Sequence, residues 1–317
     1  MADKLRSGLS EPIFERVAII GIGLIGSSIA RAVRRVHAAN TIALADASPD
    51  VVERAKNLGL GDAYSTSAAD AVREADLVVF CAPVGVTGVI AEEVGPFLKD
   101  GAIVSDVGSV KAAVIAAIAP HLPLGAHLVP AHPVAGTEQS GPDAGFPSLF
   151  LNRWCILTPP EGAEPAAIDK VRRFWISLGS NVEVMTAEHH DLVLAITSHV
   201  PHLIAYNIVG TAADLEAVTR SEVIKFSAGG FRDFTRIAAS DPTMWRDVFL
   251  HNKDAVLEML GRFTEDLTAL QRMIRRGDGE GLFELFTRTR AIRRGIVEIG
   301  QETPAPDFGR RSAEDEA

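Results

Sequence analysis

Short apolar runs alternate with amphipathic stretches through the first half of the chain. Val17–Ile20 is the first. The runs at 41–46 (TIALAD), 77–83 (LVVFCAP), 102–107 (AIVSDV), 127–133 (HLVPAHP), 154–159 (WCILTP) and 181–185 (NVEVM) follow. Each is short, predominantly apolar and bounded by turn-forming residues, so each predicts a strand. Helical spacing fills most gaps. Ser27–Val36 is Ala-rich, and 49–57 begins with Pro49 and carries Val51, Val52 and Ala55 at helical spacing. Strands alternating with helices predict a mainly parallel, doubly wound α/β sheet. The texture changes near Ala187. From there to about Ile299 only helices are predicted, over 187–212, 214–225, about 240–275 and 278–299. The boundary falls at about 186. It separates an α/β domain, 1–186, from an all-helical domain, 187–302, and leaves 303–317, mixed Pro and charge, as a disordered tail.

The first strand is followed by Gly21, Gly23 and Gly26 at G-x-G-x-x-G spacing, and then by a helix. This is the dinucleotide fingerprint of a Rossmann-type fold. Gly21 permits a tight turn, Gly23 lets backbone approach a pyrophosphate, and Gly26 lets helix and strand pack closely. The helix start, with Leu24 and Ile25, offers free N–H groups to phosphates. Asp46 ends the second run, where an acid bonds the adenosine ribose hydroxyls. Ala47 and Ser48 supply no arginine for a 2′-phosphate, so NAD is expected over NADP. Ligands of such sheets bind beyond the strands' carboxyl ends. Ala82, Pro83, Asp106 and Ser109 lie there and join the expected cofactor contacts, and His132 to Glu138 follows the fifth strand.

Composition narrows the classes. A net charge of -10 argues against a nucleic-acid partner. Arg288, Arg290, Arg293 and Arg294 sit at helical spacing and predict a solvated face. Cys81 and Cys155, the only 2 cysteines, lie in apolar runs and predict free thiols in a reducing compartment. No stretch reads as long and apolar enough to span a membrane. The first 16 residues lack an apolar signal core and read as a loose leader, so a cytoplasmic location is expected.

Four segments could carry chemistry. In AHPVAGTE, His132 stands at a strand end, where it can accept a proton near neutral pH or serve as a loop histidine. In DVGSVK, the Ser109 hydroxyl could meet a ligand or cap the next helix. In EHHDLVLAITSHVPH, Asp191, Ser198 and His202 fall at steps of 7 and 4, sharing a helix face, and Pro201 removes the N–H that would bond back to Thr197. Six of the nine histidines lie between His127 and His202, yet His189, His190, His199 and His202 form no compact ligand pattern, so no metal site is expected. In GGFRDFTRIAASDPTMW, Gly229-Gly230 predicts a loop. Arg236 can clamp a carboxylate or pair with Asp233 on the surface.

GIGLIGSS, DVGSVK, HPVAGTE, EHHD with TSHVPH, and FRDFTRIAASDPTMW resemble, in order, the prephenate/arogenate (cyclohexadienyl) dehydrogenase family of tyrosine biosynthesis. They span residue 17 to about 300. The resemblance implies a small-molecule substrate, a cyclohexadiene with a hydroxyl and a ring carboxylate, oxidised by NAD with loss of carbon dioxide. It implies that His132 takes the hydroxyl proton, Ser109 orients that hydroxyl, and Arg236 holds a carboxylate. It further implies that Ser198 and His202 contact the side chain, that Glu138 and Asp233 form a charged network, and that Gly229 and Trp245 reach the site from a partner subunit. The helical domain is expected to make a homodimer. The length matches the monofunctional form, without mutase or regulatory segments. Two alternatives stand beside this. A β-hydroxyacid-type dehydrogenase would use a lysine in the helical half, but Lys225 and Lys253, the only lysines there, lie in no such motif. A non-catalytic NAD-binding regulator would not need His132, Ser109 and Arg236 together.

Overall fold

The structure, a computed structural model, describes residues 11–137, 139–219 and 225–298. Glu138, the 303–317 tail and most of the leader lie outside the described residues. The chain divides into two compact units, residues 1–257 and 258–317.

The first unit runs β1 (Phe14–Ile20), α1 (Leu24–Val36), β2 (Ala39–Ala45), α2 (Pro49–Asn57), β3 (Ala63–Ser65), α3 (Ala68–Val72), β4 (Leu77–Phe80), α4 (Thr87–Val94), β5 (Ile103–Asp106), α5 (Ala112–Ile118), β6 (His127–Leu128), β7 (Ala131–Pro133), β8 (Trp154–Leu157), α6 (Pro165–Ser177) and β9 (Asn181–Val184). Six strands pair in parallel in the order β3-β2-β1-β4-β5-β6. The order reverses between β1 and β4, the switch point where such sheets bind dinucleotides. Alternation along β1 builds both cores. Val17 and Ile19 face a core with Ile29, Val33, Phe150 and Trp175, whereas Ala18 and Ile20 face one with Val78, Phe80, Val104 and Ile118. Covering both faces explains why the strands read as continuous apolar runs.

The expected fifth strand, 127–133, is two strands in two sheets. β6 ends beside β5, and β7 pairs antiparallel with β8, which pairs parallel with β9. Pro130 is the physical reason. It has no N–H to continue a ladder along β5, and its carbonyl instead accepts from Thr158 N–H at 3.0 Å. β3 leaves no pattern in the sequence, because it is three half-buried residues at a sheet edge.

The helical half begins in the same unit with α7 (Ala187–Leu194), a π turn (Ala195–His199), α8 (Val200–Thr219), α9 (Gly229–Thr235), a 3-10 turn (Arg236–Ala239) and α10 (Pro242–His251). Pro201 disturbs the helix as expected: the turn before it widens, with Val200 N–H bonding back to the Ala195 carbonyl. Gly229-Gly230 is not a loop. It is the first turn of α9, where N–H groups need no intrahelical partner. α11 (Lys253–Arg276) and α12 (Gly279–Glu298) follow, the latter exposing Arg288, Arg290, Arg293 and Arg294.

Contrary to expectation, the helix Ala187–Asp214 is long and apolar enough to cross a membrane, with a window of mean hydropathy 1.5. Its histidines, Ser and Thr interrupt the apolar run and mask this in the sequence. On its inner side Asp191, His190 and His199 are buried against protein partners.

Candidate active site

The glycine turn closes around β1. Gly21 has φ +99°, and a Cβ there would lie 2.5 Å from the Cys81 carbonyl oxygen after β4. A Cβ on Gly26 would lie 2.0 Å from the Gly21 carbonyl oxygen, so α1 packs as closely as its backbone allows. Gly23 faces open space, with nothing within 4 Å. The first turn of α1, from Leu24 and Ile25, has neither an acidic residue nor a side-chain cap. Asp46 accepts from Ile22 N–H at 2.9 Å and Ser48 N–H at 3.0 Å, which pins it beside the turn. Its two oxygens keep lone pairs for ribose hydroxyls. Half-buried Ala82 and exposed Pro83 line the opposite lip. Open backbone at Gly23, an uncapped helix start and a pinned acid fit a dinucleotide.

Asp106 departs from its expected cofactor role. Its carboxylate is 1% exposed and turned between strands. Lys111 Nζ, fully buried, donates to Asp106 Oδ2 at 2.5 Å and to the Ala131 carbonyl at 2.7 Å; Gly108 and Ala131 N–H groups also donate to Asp106. Where Pro130 ends the β5 ladder, this ion pair replaces it. Burial pushes the Asp106 pKa up and the Lys111 pKa down, each countered by the other's charge.

The next residue in β7 is His132, 7% exposed. Its Nδ1 lies 2.8 Å from His190 Nε2, and His190 Nδ1 lies 2.8 Å from Asp191 Oδ1. Burial, then repulsion from His190 once it protonates, from Lys111 and from His199 once it protonates, holds the His132 pKa well below 6.5. Ser109 does not cap α5. Asp191 does so from α7, accepting Lys111 N–H at 2.8 Å and Ala112 N–H at 2.9 Å.

The expected common face of Asp191, Ser198 and His202 is broken by the π turn, which shifts the helix phase. His199 is the residue brought alongside Asp191: Asn252 Nδ2 donates to the Asp191 carbonyl at 2.8 Å and to His199 Nδ1 at 3.0 Å. Burial lowers the His199 pKa to about 4, partly offset by Asp191, while the backbone of Ser109 lies beside it. Half-buried Ser198 receives His202 Nδ1–H on its carbonyl at 2.8 Å.

His202 stacks on Trp245, ring centroids 3.6 Å apart and 22° between planes. Trp245 is 6% exposed and packs with Val110 of the DVGSVK segment. Within its own chain, Trp245 thus stands against His202 and the segment after β5. Burial lowers the His202 pKa, and the nearby Arg236 guanidinium lowers it further. Gly229 and Asp233 lie exposed on α9, Asp233 pairing with Arg232 at 3.7 Å. Among the described residues no three His, Cys, Asp or Glu side chains form a metal-ready group.

Both halves of the chain match family models. Residues 29–184 match the prephenate dehydrogenase nucleotide-binding domain, and residues 186–288 match the prephenate dehydrogenase dimerization domain. The chain belongs to the prephenate dehydrogenase family. It is 45% identical to the cyclohexadienyl dehydrogenase of Zymomonas mobilis, over 89% of this chain and 96% of that one. It is 34% identical to the prephenate dehydrogenase of Bacillus subtilis, over 93% and 79% of the two chains. Among solved structures, the Aquifex aeolicus prephenate dehydrogenase, in complex with hydroxyphenyl propionate and NAD+, superposes with a TM-score of 0.83 at 35% identity, covering 91% of this chain and 99% of that one. The resemblance carried by the five motifs thus holds across both halves. Lys111 and Asn252 carry no signal in the sequence that marks them as site residues, and His190 reads there only as a candidate metal ligand. The one local signal was the adjacency of His190 and Asp191 in EHHD.

Proposed function

We propose that this chain catalyses the NAD-dependent oxidative decarboxylation of prephenate, arogenate or both, giving 4-hydroxyphenylpyruvate or tyrosine. The observation that carries this reading is His132: a buried, neutral imidazole in β7, just past the carboxyl end of β6, held through Nδ1 and with Nε2 bonded to no described residue.

Gly21, Gly23, Leu24, Ile25 and Gly26 would hold the diphosphate of NAD, Asp46 its adenosine ribose, and Ala82 and Pro83 its flank. Bound NAD supplies the hydride acceptor. His132 takes the proton of the ring hydroxyl as the carbinol carbon is oxidised, and Ser109, three residues beyond β5, orients that hydroxyl. Arg236 binds a substrate carboxylate, with Ser198, His202 and Trp245 around the side chain. The family resemblance assigns Gly229, Asp233 and Glu138 to substrate recognition as well. Loss of the ring carboxylate as carbon dioxide aromatises the ring and makes the step essentially irreversible. NADH formation from prephenate and from arogenate tests the reading. NAD should give the higher kcat/KM, and absence of turnover with both substrates would refute it.

The work is divided at about residue 186, between the dinucleotide domain and a helical domain that joins two copies. The meeting of the two family matches at 184 and 186 supports this. Exposed Ile208, Val209, Leu267, Ile274, Phe283 and Phe286 are apolar residues that a second copy would cover. Light scattering should report a dimer, and a fully active monomer would overturn that assignment. The net charge of -10 and the free thiols Cys81 and Cys155 support a cytoplasmic enzyme with neither nucleic acid nor membrane as partner.

A further inference from the structure

The hydrogen bonds behind His132, together with the burial of His190, restrict where the protons sit. Asp191 accepts two backbone N–H groups, from Lys111 and Ala112, at 2.8 and 2.9 Å. A carboxylate so engaged acts only as an acceptor, so the proton it shares with His190 at 2.8 Å sits on His190 Nδ1. A neutral imidazole that donates through one nitrogen accepts through the other. His190 is fully buried, and burial lowers its pKa, so Nε2 carries a lone pair. His132 Nδ1, 2.8 Å from that nitrogen, must donate.

We propose that His190 and Asp191 are positioning residues that hold His132 as its Nδ1–H tautomer, leaving Nε2 as the nitrogen that receives the substrate proton. The receiving role rests on the dehydrogenase reading; the tautomer does not. In the step, the substrate O–H bond breaks and an N–H bond forms at Nε2. His132 becomes an imidazolium whose Nδ1–H still donates to His190, so no second proton moves. Asp191 also fastens the start of α5, two residues beyond Ser109. One carboxylate therefore references both the base and the hydroxyl-orienting serine.

His190→Leu and His190→Gln test this. Gln places an amide oxygen where it can accept from His132 Nδ1–H, and Leu cannot. His190→Leu should lower kcat about 10- to 100-fold with KM and NAD affinity nearly unchanged, while His190→Gln should recover most of the loss. Nitrogen-15 NMR of histidine-labelled protein gives a readout besides turnover. In the wild type, His132 Nδ1 should be the protonated nitrogen, and His190→Leu should shift the population toward Nε2–H. A wild-type His132 protonated at Nε2 overturns the proposal without need of any variant, and so does a His190→Leu enzyme with unchanged tautomer and kcat. The expected tautomer in a protein that turns over neither substrate would instead refute the dehydrogenase reading and leave the tautomer assignment standing.

Discussion

Burial, the Lys111 charge and repulsion from His190 and His199 once they protonate act on His132 in one direction, against its protonated form. An isolated histidine titrates at about pH 6.5, so an acid limb within a unit or two of that value is what sequence alone leads one to expect. The site moves the limb down. The base stays neutral further into acid, and kcat/KM should hold its plateau to well below pH 6.5. His132→Asn keeps a hydrogen bond but cannot take the proton. It should lower kcat by about 10²–10⁴ with NAD affinity nearly intact, and abolish the acid limb. A near-normal kcat with the same limb would move the base elsewhere, to His202 first. Arg236 is tested on binding. Its guanidinium lies near enough to His202 to lower that pKa. Arg236→Gln should raise KM by an amount corresponding to roughly 2–4 kcal/mol, as for one partner lost from a desolvated charge pair. A KM within about twofold of wild type would place Arg236 outside the substrate site.

At the scale of elements, the ends of β5, β6 and β7 meet at Asp106 and Lys111. Lys111→Met should leave the Asp106 carboxylate buried without its cation and destabilise the fold by about 3–5 kcal/mol, measured by denaturant unfolding. A loss under about 1 kcal/mol would show that the pair is dispensable. This junction also marks where the sequence stops being legible. β1, the glycine turn and α1 could be read because their signals are local: the apolar run Val17–Ile20, then Gly21 with its positive φ. The division of 127–133 could not, because it depends on how Pro130 meets β5 and β8. The cap of α5 could not, because Asp191 lies 80 positions beyond Lys111. The π turn hid the true neighbours of Asp191 by a single residue of phase. His132 was legible as a base by its place at a strand end, but its partner His190, 58 positions on, was not.

Across the whole molecule, four histidines, His132, His190, His199 and His202, have pKa values lowered by burial. Their sign is common. Each folded-state value lies below that of the unfolded chain, so between the two the unfolded state binds protons the native state refuses, and stability rises with pH. Above about pH 7 both states are deprotonated at these sites and the contribution is flat. As pH falls through about 6.5 the unfolded chain begins to gain protons, and the loss continues down to the folded-state values. For His199 alone, fully buried and lowered from 6.5 to about 4, the linkage amounts to about 3 kcal/mol once pH is below both values. The same burial that keeps His132 available as a base therefore makes the enzyme acid-labile. At fixed protein concentration, Tm should be constant between about pH 7 and pH 8 and fall steeply from about pH 6.5 to pH 5, above the range where ordinary carboxylates titrate. The four-histidine account also requires His199→Gln to reduce that fall. A Tm unchanged across pH 7 to about pH 5, or a fall of equal size in His199→Gln, would mean that the buried histidines do not govern the acid stability of the fold.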